Sequence, residues 1–228
     1  AVDFSKRPFT ATTDDGTAIK ADTVIIATGA SAKYLGIDDE QRYAGRGVSA
    51  CATCDGFFYR KKTVAVVGGG DTACEEASYL SNLADKVYMI VRKDYLRASK
   101  VMQLRVMENQ KIEILFNTNT VGLFGDAKVE GAHLVRFKGT DREETFDIAI
   151  DGFFLGIGHR PNTDIFASQI ALDEQGYIKT DGVTTATNIP GVFAAGDVAD
   201  PRYRQAITSA GMGCKAALDA ERFLVEQE

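Results

Sequence analysis

Two cysteines separated by two residues carry the most distinctive chemistry in this sequence. Cys51 and Cys54 lie in the segment CATCDG, residues 51–56. A Cys-x-x-Cys pair closes a small disulfide that is readily reduced, so it suits thiol–disulfide exchange better than the stapling of a fold. Asp55 follows the pair and is placed to move protons during exchange, although an aspartate before Gly56 is also typical of a turn. We predict a redox site formed by Cys51, Cys54 and Asp55.

A zinc site is the less favoured interpretation of the same pair. Structural zinc takes four ligands, whereas the chain has no second Cys-x-x-Cys motif and only two histidines, His133 and His159. The sequence therefore predicts no metal site. The other two cysteines, Cys74 and Cys214, stand alone in helical patterns rich in small residues, and we expect both to be buried and structural.

A glycine pattern typical of dinucleotide binding follows the cysteine pair. Gly68-x-Gly70-x-x-Ala73 lies between a short apolar strand, residues 63–67, and an amphipathic helix, residues 72–83. In such a turn the first glycine allows the sharp bend, the second lets a pyrophosphate approach the backbone, and the small third residue lets helix and strand pack closely. Glycine turns are common, but the strand–turn–helix context favours a dinucleotide site over a plain turn.

The end of the strand after this helix indicates which nicotinamide cofactor would bind. An NAD site usually offers a carboxylate there for the ribose 2′-hydroxyl. This chain instead has the segment VRKDYLR, residues 91–97, which contains Arg92, Lys93 and Arg97. Cationic side chains suit a 2′-phosphate, so the segment predicts NADPH. The alternative is a solvated helix start in which Asp94 is the N-cap.

Alternating strands and helices must position these residues. The β-branched run over residues 22–29 predicts a strand buried on both faces, as in a parallel sheet. Residues 63–91 have the length and pattern of a strand–helix–strand unit. A second helix is predicted from Val101, Leu104 and Met107, which recur at helical spacing. The pattern as a whole predicts the α/β class.

The rest of the chain indicates two domains, one nested in the other. Residues 121–150 are typical of antiparallel strands, and a strand over 191–195 precedes a long helix over 204–225. The chain would cross between the domains near residues 29–33 and again near 158–163. Two crossings of this kind can act as hinges, and we expect the middle domain to rotate about them.

Composition excludes several other classes of function. The 228 residues carry a net charge of −6 without a long basic run, whereas nucleic-acid binding needs a concentrated cationic face. No apolar stretch approaches the roughly 20 residues that span a bilayer. We expect neither nucleic acid nor a membrane as a partner, and an intracellular protein.

Six segments carry a family resemblance. In chain order they are CATCDG, VVGGGDTA, VRKDYLR, GIGHRPNT, GVFAAGDV and RQAITSAGMGC. Together they resemble the low-molecular-weight, bacterial-type thioredoxin reductases over essentially the whole chain. The resemblance implies two nested Rossmann-like, three-layer domains: residues 1–30 and 159–228 would belong to the FAD-binding domain, and residues 31–158 would form the NADPH-binding domain with the redox pair.

The resemblance also implies the reaction and its participants. Electrons would pass from NADPH through FAD to the cysteine pair and then to thioredoxin, in a cytoplasmic homodimer. Cys54 would face the flavin and receive electrons, Cys51 would attack the thioredoxin disulfide, and Asp55 would be the acid/base. The cofactor residues implied are Gly68, Gly70, Asp71 and Thr72 at the NADPH pyrophosphate, Arg92, Lys93 and Arg97 at its 2′-phosphate, and Asp197, Arg204, Gln205 and Ala206 at FAD.

Two departures from the family pattern keep alternatives open. The usual His-Arg-Arg-Asp is replaced by residues 91–94, Val-Arg-Lys-Asp, which keeps the charges but loses one guanidinium. No strand–glycine–helix unit for the ADP half of FAD precedes Thr23, so we expect the FAD-binding domain to be incomplete at its N-terminus. The alternatives are the flavoprotein of an alkyl hydroperoxide reductase system and an NADP-binding fragment without catalytic activity.

Overall fold

The computed structural model describes residues 1–227. The strands are β1 (Val2–Asp3), β2 (Phe9–Thr12), β3 (Ala18–Ala21), β4 (Val24–Ile26), β5 (Ala30–Ala32), β6 (Val48–Ser49), β7 (Thr63–Val67), β8 (Lys86–Ile90), β9 (Ile112–Leu115), β10 (Thr118–Phe124), β11 (Gly131–Arg136), β12 (Glu144–Ala149), β13 (Gly152–Leu155), β14 (His159–Pro161) and β15 (Val192–Ala194). The α-helices are α1 (Asp38–Arg42), α2 (Ala52–Asp55), α3 (Asp71–Ser81), α4 (Lys100–Met107) and α5 (Ala206–Val225). Short 3-10 helices occupy Gly56–Tyr59 and Gly196–Val198.

The chain divides into two compact units. The central unit is Ala32–Gly158, and the terminal unit consists of Ala1–Ser31 together with the segment from His159 onward. Both boundaries lie at the predicted crossings, within one residue of the predicted domain limits.

The central unit is built on a parallel sheet. Its five strands have the order β6-β13-β7-β8-β9, and each neighbouring pair is parallel. β7 lies in the middle of the sheet, and its apolar residues are buried on both faces, as a sheet covered on both sides requires. The glycine turn leads from β7 into α3, and α3 leads to the adjacent strand β8.

Two apolar layers cover this sheet. Successive side chains of β7 point to opposite faces, so Val64 and Val66 pack with α3 while Ala65 and Val67 pack with the antiparallel sheet β10-β11-β12. The layers are therefore helices, parallel sheet and antiparallel sheet. This arrangement confirms the predicted α/β class and the predicted antiparallel strands.

The apolar residues from which α4 was predicted do not face the core. The helix forms, but Val101, Leu104 and Met107 are exposed by 69%, 56% and 52%. Val106 is fully buried and Met102 packs against the same core. With 3.6 residues per turn the two sets lie on opposite sides of the helix, and periodicity alone does not identify which side faces the core.

The terminal unit combines short sheets with the longest helix. β1, β2 and β3 form an antiparallel sheet, and β4 pairs in parallel with β15, on which α5 packs. The prediction that β4 is buried on both faces is wrong, because Ile25 is 40% exposed while Ile26 is buried. A β-branched run forms a strand whether one face or both faces are covered. Within residues 1–227 no helix has the length and apolar character needed to cross a bilayer.

The same substitution at two leucines tests the orientation of the helices. Leu80 of α3 is fully buried, whereas Leu104 of α4 is exposed. Leu80→Ala should lower the free energy of unfolding by roughly 2–5 kcal/mol because it opens a cavity. Leu104→Ala should change it by no more than about 0.5 kcal/mol. Urea unfolding measures both, and equal losses would contradict the exposed position of Leu104.

Candidate functional site

The glycine turn after β7 is shaped by close packing. Gly68 has φ +136°, and a Cβ there would lie 2.5 Å from the carbonyl oxygen of Gly156 and 2.8 Å from Cβ of Ala73. A Cβ at Gly156 would lie 2.8 Å from Cα of Ala73. These three small residues bring the ends of β7 and β13 against the start of α3, so the predicted reason for a small third residue agrees with the geometry.

A cavity of about 750 Å³ opens in front of this turn, within the central unit. Gly70 lines it, and a Cβ at Gly70 would have no atom within 4 Å. The first backbone N–H groups of a helix have no intrahelical acceptor, so the start of α3 presents free donors together with partial positive charge. This end of the cavity suits a pyrophosphate.

Cationic side chains also line the cavity. Arg92, Lys93 and Arg97, all predicted from the sequence, are among its lining residues. The backbone N–H of Arg97 donates to the carbonyl of Gly69 at 2.6 Å, which fixes the basic segment against the glycine turn. The structure therefore brings together the glycine and basic residues that the sequence assigned to one site.

The resemblance implies that Asp71 lies at the pyrophosphate, and the structure shows what the side chain of Asp71 contacts. Its carboxylate accepts hydrogen bonds from the backbone N–H and the hydroxyl of Ser99, at 2.9 and 2.8 Å. These bonds lower the pKa of Asp71. Asp71 is the first residue of α3 but does not line the cavity. Its carboxylate thus connects the start of α3 to Ser99, the N-cap of α4.

Several cavity residues could not be found by motif. They come from the loop before α1, from β10 and from the turn after β11, namely Tyr34, Leu35, Ile37, Thr118, Asn119, Thr120, Val121 and Lys138. The hydroxyl of Thr120 is buried and has no hydrogen-bond partner among the described residues. An unsatisfied hydroxyl in a cavity lined by cations and helix N–H groups fits a polar, anionic ligand such as a dinucleotide.

Two neighbouring carboxylates of α1 hold these walls in place. The buried carboxylate of Glu40 accepts from the backbone N–H groups of Leu35 and Gly36, each at 2.8 Å, and from that of Ile37 at 3.2 Å. Asp39 accepts from the N–H of Leu123 at 2.9 Å, beyond the bulge in β10. No motif marked these residues, because their function depends on the tertiary placement of the loop and strand.

The cysteine pair forms a disulfide in the same unit. The sulfurs of Cys51 and Cys54 are bonded at 2.08 Å, which agrees with the redox interpretation of the motif. Cys51 is the N-cap of α2, and its Sγ accepts from the backbone N–H of Cys54 at 3.2 Å. The hydroxyl of Thr53 lies 3.4 Å from the same sulfur. These two donors are placed to stabilise negative charge on the Cys51 sulfur.

Aromatic and acidic residues surround the disulfide segment. Phe57 and Phe58, in the 3-10 helix after α2, are exposed by 63% and 70%. Asp55 is the last residue of α2. Burial raises the pKa of Tyr59, and the negative charges of Asp55 and Asp151 raise it further. The disulfide thus lies beside an exposed apolar surface, and the carboxylate of Asp55 directly follows it in the chain.

The residues assigned to FAD lie in the terminal unit, around the start of α5. The hydroxyl of Ser209 donates to Asp197 at 3.0 Å. Arg204 adopts φ +48° and its guanidinium donates to the carbonyl of Pro201. Gln205 is the N-cap of α5, and α5 begins at Ala206. The structure places all four predicted residues on two adjoining segments.

The start of α5 also has the donor chemistry of a flavin site. The first backbone N–H groups of a helix have no intrahelical acceptor, and α5 begins at Ala206, with Ile207 80% exposed. A helix start beside exposed apolar surface suits a flat ring that carries negative charge when reduced. The residues present therefore fit FAD.

The isolated cysteines differ from each other. Cys74 is fully buried in α3, and burial raises its pKa to about 11. The expectation that Cys214 is also buried is wrong, because it is exposed on α5. Small neighbours made its helix face resemble a packed face, but α5 buries Ala216 and Ala220 instead.

Comparison with a protein-family model assigns the class. Residues 1–213 match the pyridine nucleotide-disulphide oxidoreductase family. The dinucleotide cavity and the disulfide in one unit are consistent with that match, so fold and site define a nucleotide-dependent disulfide oxidoreductase.

Individual relatives narrow the class further. The chain is 53% identical to a thioredoxin reductase of Eremothecium gossypii, and the match covers 100% of this chain and 72% of the relative. It is 54% identical to the thioredoxin reductase of Escherichia coli O157:H7, and that match covers 98% of this chain and 71% of the relative. The solved thioredoxin reductase of Giardia duodenalis superposes with a TM-score of 0.90 at 43% identity, covering 99% of this chain and 73% of that structure. The solved thioredoxin reductase of Streptococcus pyogenes also superposes with a TM-score of 0.90, at 36% identity, covering 99% of this chain and 72% of that structure. The chain belongs to the thioredoxin reductase family. The cofactors are those of the family, FAD and NADPH.

A pair of glycine substitutions separates folding from nucleotide binding. Gly156→Ala should destabilise the protein by roughly 1–3 kcal/mol because its Cβ has no room. Gly70→Ala should leave the melting temperature nearly unchanged, since its Cβ points into open space, yet weaken NADP⁺ binding by about tenfold or more, or about 1.4 kcal/mol. Thermal unfolding and titration calorimetry measure the two effects. Unchanged NADP⁺ affinity in Gly70→Ala would remove the glycine turn from the binding site.

Proposed function

We propose that the chain uses NADPH and FAD to reduce the Cys51–Cys54 disulfide, and that the resulting dithiol reduces the disulfide of thioredoxin. The observation that carries this proposal is the disulfide beside the exposed Phe57 and Phe58, in the unit that also contains the cationic nucleotide cavity. Exposed aromatic side chains next to a reactive sulfur suit a protein substrate better than a small disulfide, since aromatics dominate protein-binding surfaces.

The residues of the cavity would hold NADPH in a fixed orientation. Gly68, Gly70 and the N–H groups of Asp71 and Thr72 would bind the pyrophosphate at the start of α3. Arg92, Lys93 and Arg97 would bind the 2′-phosphate, for which guanidinium and ammonium groups provide charge-assisted hydrogen bonds. Gly68, Gly70, Thr72 and the three cationic residues all line the cavity, which supports this assignment.

The start of α5 would hold the flavin. Asp197 would bind its ribityl and phosphate side, while Arg204, Gln205 and Ala206 would contact the ring. When bound, FAD supplies the two-electron chemistry that connects a hydride donor with a disulfide.

The reduced cysteines would act in two exchange steps. The Cys51 thiolate attacks one sulfur of the thioredoxin disulfide, which forms a mixed disulfide and releases one thioredoxin thiolate. The Cys54 thiolate then attacks the Cys51 sulfur, which re-forms the Cys51–Cys54 bond and releases the second thiolate. Asp55 would deliver a proton during this exchange. Thioredoxin thereby gains two electrons and, with solvent, two protons.

The N–H of Cys54 and the hydroxyl of Thr53 support Cys51 as the attacking sulfur, since both lie within hydrogen-bonding distance of it. The reverse order is the alternative, because Cys54 is the more exposed of the two residues.

We also infer a homodimer in the cytoplasm without nucleic-acid or membrane partners. The family resemblance supports the dimer, and the net charge of −6 opposes nucleic-acid binding. Two relatives are named as mitochondrial proteins, so a mitochondrial location is the alternative that has to be tested. Sedimentation of the purified chain and fractionation of the source cells test these inferences.

Trapping with single-cysteine variants tests the proposed function and the order of attack. The protein supplied with FAD and NADPH should reduce thioredoxin, and turnover should be much slower with NADH. Cys54→Ser should abolish turnover and, after reduction, form a stable mixed disulfide with thioredoxin through Cys51. Cys51→Ser is the matched control and should trap far less. Mass spectrometry of the adduct identifies the sulfur. Turnover retained in Cys54→Ser would refute the proposal, and trapping by Cys51→Ser alone would reverse the assigned order.

A further inference from the structure

Lys138 lines the nucleotide cavity although no motif places it there. It follows β11, more than 40 residues after the basic segment that contains Arg92 and Lys93, and it lies in the turn between two antiparallel strands. The cavity therefore has a fourth cation that comes from a different layer of the central unit.

Backbone hydrogen bonds fix this turn against the basic segment. The N–H of Asn117 donates to the carbonyl of Lys93 at 3.0 Å, and the N–H of Phe137 donates to the carbonyl of Asn117 at 2.8 Å. Asn117 and Phe137 have φ of +54° and +52°, a conformation that costs energy for residues other than glycine. Two backbone hydrogen bonds, through Asn117, thus connect Lys93 with Phe137, the residue before Lys138.

The charge of the cavity has one sign. Arg92, Lys93, Arg97 and Lys138 line it, and none of its described lining residues is acidic. Lys138 forms no salt bridge within residues 1–227, and its side chain is exposed. Like charges held together repel one another unless an anion lies between them. The phosphate nearest to Lys93 is the one that an additional cation beside Lys93 would bind.

We propose that Lys138 is a specificity-determining residue that binds the 2′-phosphate of NADPH together with Arg92, Lys93 and Arg97. This inference rests on the proposed function, because it assigns a further residue to the same nucleotide site. It distinguishes Lys138 from the groups at the start of α3, which face the pyrophosphate that NADPH and NADH share.

Paired nucleotides and a charge-matched control test this assignment. Calorimetry of the full chain with NADP⁺ and with NAD⁺ separates the 2′-phosphate from the rest of the cofactor. Lys138→Ala should weaken NADP⁺ binding about tenfold, or about 1.4 kcal/mol, and leave NAD⁺ binding unchanged. Lys138→Arg should restore most of the NADP⁺ affinity. Lys128→Ala removes the same charge from an exposed residue that does not line the cavity, and it should alter neither affinity.

Three results would overturn the proposal. Equal losses for NADP⁺ and NAD⁺ in Lys138→Ala would place Lys138 at the pyrophosphate. Unchanged NADP⁺ affinity, or an equal loss in Lys128→Ala, would remove any local role. A failure of the NADPH preference in the proposed function is distinguishable, because the unmodified chain would then bind NADP⁺ no more tightly than NAD⁺. A failure of thioredoxin reduction alone would leave the calorimetric affinities unchanged.

Discussion

The close approach of β7, β13 and α3 is the constraint on which the rest of the central unit depends. Gly68, Ala73 and Gly156 are so near one another that a single added methyl group would overlap backbone atoms. This contact directs the first turn of α3 into the cavity, where its N–H groups can meet a pyrophosphate. The cations that follow β8 reach the same cavity because the N–H of Arg97 is bonded to Gly69. The packing of these small residues thus determines where the N–H groups of α3 and the cations after β8 lie in the cavity.

The same unit joins two kinds of chemistry that have different physical requirements. The nucleotide cavity needs fixed donors and cations, and it obtains them from a rigid sheet with apolar layers on both faces. The disulfide needs access to another protein, and it lies on a four-residue helix followed by exposed aromatics. A protein substrate can therefore reach the sulfurs without entering the cavity. The terminal unit contributes the separate set of groups that fits a flavin.

Local sequence patterns predicted those helices and strands whose formation depends mainly on their own residues. The β7–α3–β8 unit follows from an apolar strand buried on both faces and from the glycine turn. The side of α4 that faces the core could not be predicted, because Val106 and Leu104 are equally apolar and periodicity is symmetric. The exposure of Cys214 was predicted wrongly, and the position of Lys138 in the cavity lining was not predicted. Both properties depend on which distant segments of the chain pack nearby.

The most direct test of the account is to count the thiols that NADPH creates. FAD-loaded protein is treated anaerobically with iodoacetamide before and after NADPH is added, and the labelled cysteines are identified by mass spectrometry. We predict that only exposed Cys214 is labelled at first, that Cys51 and Cys54 are labelled as well after NADPH, and that Cys74 is never labelled because burial raises its pKa to about 11. If Cys51 and Cys54 are labelled after a chemical reductant is added but not after NADPH is added, the disulfide does not accept electrons from the nucleotide. That result would contradict the proposed electron transfer.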